Sequence, residues 1–290
     1  MFNKVEFKKI RDFGEIINDT FTFIRQNFKP LLKVFIYLCG FFVLATVVSN
    51  VLQQFDILYN IRSASDGIFR SSGRVFTIQY FFSIIFTFAS YNAVTVSVLS
   101  YIAIYVEKGK VAPTVEQVWA YFKYYFFRTW GSSIVISLFM IVCAIPCFIP
   151  LIYVFPALSL LLPVMVFENA SFSYSFSRCF KLIKDNWGLT AGAIFIIWII
   201  TYSTVLIGSI PTIIITMAGT FIHSSKALGL LTVTLGVLIQ SLFQVFLILP
   251  TVCVALCYYN LVERHENSGL FDRINNLGEK KADFNSNEEY

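Results

Sequence analysis

Charge is what this chain has least of. Asp, Glu, Lys and Arg make up 13% of its 290 residues, about half the share usual in soluble domains. No charged side chain occurs between Arg128 and Glu168, and stretches 75–106 and 227–262 carry none. Uncharged apolar runs longer than about 20 residues read as membrane-spanning helices, and they exclude a soluble globule. Histidine is nearly absent: His223 and His265 are expected on opposite sides of the membrane, so they share no metal. The Cys143/Cys147 and Cys253/Cys257 pairs lack zinc-knuckle spacing and fall in opposite leaflets, so they read as packing residues. There is no P-loop, no Gly-rich dinucleotide fingerprint, no G-x-S-x-G and no H-E-x-x-H. An enzyme is not expected, nor a cofactor. The first 30 residues are charged and lack a short apolar core with a cleavage site, so no removable signal peptide is expected.

Apolar bulk is abundant. Hydrophobic residues reach 57%, with 32 Phe and 15 Tyr, side chains suited to acyl chains and to the membrane interface. The organising stretch is Ser171–Ile200. Phe172, Phe176, Phe180, Ile183 and Trp187 follow helical spacing and share one face, with Ser173, Ser177, Lys181 and Lys184 on the others. Ser171 stands where an N-cap belongs. This predicts an amphipathic helix on a membrane surface, running into a spanning helix.

The pattern recurs 159 positions earlier. Asp12 takes the cap, Phe13, Ile17, Phe21, Ile24 and Phe28 form the face, and Arg25-Gln26-Asn27-Phe28 matches Lys184-Asp185-Asn186-Trp187. A shift of 102 from the first copy gives a weaker middle copy. There Thr114 is the cap, Gln117 completes a capping box, and Val115, Trp119, Phe122, Phe126 and Trp130 form the face.

These copies predict an all-α integral membrane protein of six spans and three surface helices, arranged as three repeats of surface helix plus helical hairpin. The repeats cover about 12–107, 114–168 and 171–262, within one transmembrane domain over 1–262. A polar cytoplasmic tail, 263–290, follows. The expected spans are 31–53, 75–106, two short ones within 129–167 broken at Pro146 and Pro150, 187–217 bent at Pro211, and 227–262 kinked at Pro250. A re-entrant hairpin is the competing account of 129–167. Placing the N-terminus in the cytoplasm puts 18 Lys and Arg inside and 4 outside. The positive-inside rule therefore favours cytoplasmic termini, with all three surface helices on that leaflet.

No ionisable group falls deep in a span, which speaks against a proton-coupled pump or a voltage sensor. Asn92 in the second span, and Gln240 and Gln244 at i, i+4 in the sixth, are the candidate intramembrane polar contacts. They line a polar path or, more ordinarily, bond between helices at about 0.6 kcal/mol each. Arg25, Lys29, Lys123, Arg128, Arg178, Lys181 and Lys184 are the candidate headgroup or partner contacts, each contributing about 1 kcal/mol beside an anionic surface. The ordinary account makes the surface helices elbows that set the angle of the next span. Glu168 is the one residue to test for lipid chemistry, though a charge placed at the cytoplasmic interface, just ahead of the surface helix capped by Ser171, is the better account of it.

Phe21–Phe28 and Phe180–Trp187, with the closing Tyr258-Tyr259-Asn260-Leu261-Val262-Glu263, give the chain a resemblance to a group of bacterial inner-membrane proteins. That group takes in the YciC-like proteins and the membrane domain attached to some glycerophosphodiester phosphodiesterases. The resemblance in layout covers most of 10–262 and implies a helical multi-span domain in a bacterial inner membrane, with no catalytic residues to carry over. The phosphodiesterases place their catalysis in a separate soluble barrel, which the residues after 262 are not expected to supply. The function expected is therefore an accessory or scaffold subunit organising lipids or partner proteins at the cytoplasmic face, without nucleic acid. The rival is a transporter or channel for a small or lipidic solute.

Overall fold

The computed structural model describes residues 4–63, 78–144, 148–221 and 226–266, leaving aside the side chains of 54–63, 148–150, 211–212, 215–221, 226–230 and 232–233. Every regular element described is helical. Helix α1 (Phe13–Val34) passes through one π-helical turn, Phe35–Cys39, into α2 (Gly40–Ser63). The long helices α3 (Ile78–Glu107) and α4 (Val115–Ala144) follow, then the short α5 (Phe148–Ser159), α6 (Leu161–Phe167) and α7 (Phe172–Ile183). A 3-10 turn, Lys184–Asn186, leads into α8 (Trp187–Phe221). Helix α9 (Lys226–Leu242), a second 3-10 turn (Phe243–Leu247) and α10 (Ile248–Glu266) complete the described chain.

Among the described residues five helical stretches are long and apolar enough to cross a membrane: Phe13–Gln53, Ile78–Glu107, Val115–Ala144, Phe172–Ile210 and Thr234–Glu266. By length and composition the chain is a multi-span membrane protein. The sequence led us to expect six spans; the remaining apolar stretch, Leu151–Phe167, is short and interrupted at Leu160. The expected break at Pro146 lies outside the described residues. Helix α8 continues through Pro211 without interruption.

Helix α3 is the axis. It packs against α2, α4, α6 and α10, and nearly everything from Ala89 to Tyr105 is buried. Its small and hydroxylated residues Ser90, Ala93, Ser97 and Ser100, all buried, allow neighbouring helices to approach closely. The outer helices expose rows of Ile, Leu and Phe, among them Leu138, Ile141, Ile199 and Leu206, as lipid-facing surfaces do.

The starts of α1, α4 and α7 bury side chains at matching intervals. Ile16, Thr20, Phe23 and Asn27 face inward on α1, Val118, Phe122, Tyr125 and Thr129 on α4, and Ser175, Cys179 and Leu182 on α7. This inward face is offset from the aromatic stripe expected to lie on the membrane. Phe13, Phe21, Phe28 and Trp119 of that stripe are exposed, but Phe122 and Phe126 are buried. They pack on Phe42, with ring centroids 6.4 and 4.9 Å away, and the long α4 carries them into the bundle.

The joints differ too. Asn27 has left helical geometry (φ −111°, ψ 16°), three residues before Pro30, whose ring removes a donor and crowds the carbonyl of Gln26. The 3-10 turn Lys184–Asn186 bends the chain at the matching exit. Helix α4 has no such joint: the separate surface helix expected there is continuous with the segment after it.

Candidate functional site

Among the described residues the charged side chains gather at one end of the bundle, tied together by contacts between distant segments. Residues Lys4–Asp12, ahead of the first helix, form a strap. Val5 and Phe7 are buried in alternation. The Phe7 ring meets Phe23, Tyr105 and Tyr259 edge-on, with centroids 5.0, 6.0 and 5.4 Å away. Arg11 is fully buried. Its Nε donates to Asp19 Oδ2 at 2.8 Å, and its guanidinium also donates to the carbonyls of Phe7, Lys9 and Glu6. The Arg11 backbone N–H donates to Asn260 Oδ1 at 2.8 Å, and Arg264 donates to the Arg11 carbonyl at 2.9 Å. The strap thus clamps the beginning of α1 to the end of α10.

The strap also reaches the turn after α3. Lys110 pairs with Glu6 at 3.2 Å, and Lys4 donates to the Lys110 carbonyl. Gly109 and Lys110 both have left-handed φ (64° and 72°), which closes that turn tightly. Beyond it, the Gln117 side chain accepts from the Thr114 N–H at 3.1 Å, the reach-back half of a capping box. Glu15 does the same for Asp12, also at 3.1 Å. Ser171 occupies the N-cap position of α7, but its hydroxyl makes no capping bond.

A second polar cluster joins α6, α7 and α10. Glu168 accepts from Tyr258 Oη at 2.9 Å and from Arg178 Nε at 3.3 Å, while Arg178 also pairs with Glu266. Arg128 donates to Asn169 Oδ1 at 3.1 Å and to the Ala170 carbonyl at 2.6 Å. Two of the seven basic candidates, Arg128 and Arg178, are therefore internal fasteners, and Glu168 is the structural counterpart of Arg178. Arg25, Lys29, Lys123, Lys181 and Lys184 are exposed. The four lysines make no ion pair among the described residues.

Exposed rings stand among these cations. Phe21 and Phe28 accompany Arg25 and Lys29 on α1, and Trp119, Tyr124 and Phe127 accompany Lys123 on α4. On α7, Tyr174 is exposed with Lys181.

The intramembrane candidates do not converge. Asn92 is buried on α3 and donates to the Phe126 carbonyl of α4 at 3.1 Å. Gln244 accepts from Ser90 at 2.7 Å, while Gln240 is exposed. The face that Gln240 and Gln244 were expected to share is lost because the chain tightens into the 3-10 turn at Phe243. Pro250, expected as a kink, sits in the first turn of α10, where its missing N–H costs little. Other interior hydroxyls turn back on their own helices: Thr46, Thr129, Thr201 and Ser241 each donate to the carbonyl four residues earlier.

Sequence reasoning missed Phe7, Arg11 and Asn260. The alternation Val5-x-Phe7 ahead of the Asp12 cap was the available signal. Comparison of the chain with protein-family models, with curated proteins and with solved structures finds no match in any of the three.

Proposed function

We propose that this chain is a non-enzymatic scaffold of a bacterial inner membrane, built from three repeats of surface helix plus hairpin. Its charged end faces the cytoplasm and organises anionic lipids, and partner proteins bound there. One observation carries this: exposed lysines stand among exposed aromatic rings along α1, the first part of α4 and the end of α7, beside a network of polar contacts that fastens these helices to the rest of the bundle. A ring at the interface buries its apolar body while a neighbouring ammonium meets a phosphate, so each helix grips the leaflet through two kinds of contact. The matched inward positions of α1, α4 and α7, and the bends at Asn27 and Lys184–Asn186, support the repeat. The lysine excess at this end supports the cytoplasmic side.

The test is native mass spectrometry of the chain purified in mild detergent. The wild type is expected to retain anionic phospholipid, or a stoichiometric partner protein. Replacing Lys29, Lys123, Lys181 and Lys184 together by Gln should reduce that retention at least tenfold with the fold intact. Retention unchanged in the variant defeats the proposal.

Transport of a polar solute through Asn92, Gln240 and Gln244 is the weaker reading. Asn92 and Gln244 bond to other helices, and Gln240 is exposed. Solute flux abolished by Asn92→Ala in reconstituted vesicles would restore it.

A further inference from the structure

Midway along the bundle, α3, α4, α5, α6, α8 and α10 enclose a cavity of about 540 Å³, within the range of small-molecule sites. Its walls are mainly Phe, Leu, Ile, Met and Trp side chains. Five Ser and Thr residues also line it, but four of them do not offer their protons to the cavity. Thr95 donates to the Tyr91 carbonyl, Ser137 to Ser133, Ser159 to Pro156 and Thr251 to Leu247, all at 2.7–3.0 Å. A space lined this way gives water few partners and stays dry. It also gives a polar solute little to replace its hydration.

The mouth faces lipid. Tyr91 of α3 and Ile141 of α4 line the cavity and are exposed, at 45% and 60%. At 1.5 Å per residue, Tyr91 lies about 24 Å along α3 from Glu107, and Ile141 about 20 Å along α4 from Arg128. Both Glu107 and Arg128 belong to the charged end. Those depths fall inside a hydrocarbon layer about 30 Å thick, so what can enter from the side is a lipid chain.

We infer that this cavity is a binding site for one hydrocarbon chain of a membrane lipid, entered laterally between α3 and α4 and selected by apolar shape without regard to headgroup. The inference goes beyond the headgroup proposal and does not rest on it, because it concerns a different part of the molecule and a different part of the lipid.

The test uses the full chain reconstituted into vesicles of phosphatidylcholine alone, re-extracted in mild detergent and examined by native mass spectrometry. The expected result is about one phosphatidylcholine retained per chain. Ser137→Phe and Ser159→Phe, which fill the cavity from two helices, should each cut retention at least tenfold. Ile199→Phe, on an exposed face away from the cavity, should leave it unchanged. The fourfold lysine variant should also keep its phosphatidylcholine, which separates this site from the charged end. In the wild type, n-dodecane added before extraction should displace the lipid, and this arm stands even if both filling variants fail to fold. No retained lipid, retention unchanged by filling, or retention indifferent to dodecane would each overturn the inference.

Discussion

The charged end of α3 and its middle are held by different physics. Toward Glu107 the chain is fastened by long-range polar contacts: Arg11 to Asp19 and Asn260, Lys110 to Glu6, Arg178 to Glu168 and Glu266. Around Tyr91 and Thr95 the polar contacts between helices are few and uncharged, chiefly Ser90 to Gln244 and Asn92 to the Phe126 carbonyl, and on the other side of α3 apolar contact leaves a cavity. A polar fastener demands a partner at one distance and angle, so the charged end admits one arrangement. Apolar packing has no such directionality, and with hydroxyls folded back on their own helices the interior tolerates a gap.

The comparison can be broken most severely at Arg11. Arg11→Met leaves Asp19 and the carbonyls of Glu6, Phe7 and Lys9 without their donor, and we expect a loss of about 3 kcal/mol, read as a lower thermal midpoint in detergent. Next is Gly208 of α8. A Cβ there would collide with the Phe243 ring, so Gly208→Ala should cost about 1–3 kcal/mol by overpacking, whereas Gly131→Ala on α4 meets nothing within 4 Å and should be neutral or slightly stabilising. Equal effects at the two glycines would show that α8 and the Phe243–Leu247 turn are not closely packed. Smaller again is Ser90→Ala, which removes the bond to Gln244 and should cost about 0.6 kcal/mol. The fourfold Lys→Gln variant should leave the thermal midpoint in zwitterionic detergent within error, since those side chains bond to nothing described. A large drop there would mean the lysines are structural.

How much of this was legible in the sequence depends on the range of the interaction. The capping residues at Asp12 and Thr114 were readable because their partners lie three residues away. The joint at Asn27 was readable from its likeness to Asn186, and Pro30 supplies its cause. The continuity of α4 was not: Thr129 stands where Asn27 does, and both side chains donate to the carbonyl four residues earlier, but Ser132 stands where Pro30 does and the helix continues. Arg11 looked like one more surface cation, because the residue that fixes its backbone, Asn260, is 249 positions away. The cavity was invisible for a different reason: it is a shortfall of side-chain volume shared among several helices, and no single residue announces it.

The central claim, that the charged end grips anionic lipid, is tested most directly by electron paramagnetic resonance with spin-labelled lipids in reconstituted membranes. The account predicts a larger motionally restricted fraction for spin-labelled phosphatidylglycerol than for spin-labelled phosphatidylcholine. The difference should shrink at high salt and vanish in the fourfold Lys→Gln variant. Equal fractions for the two lipids in the wild type at low salt would contradict it.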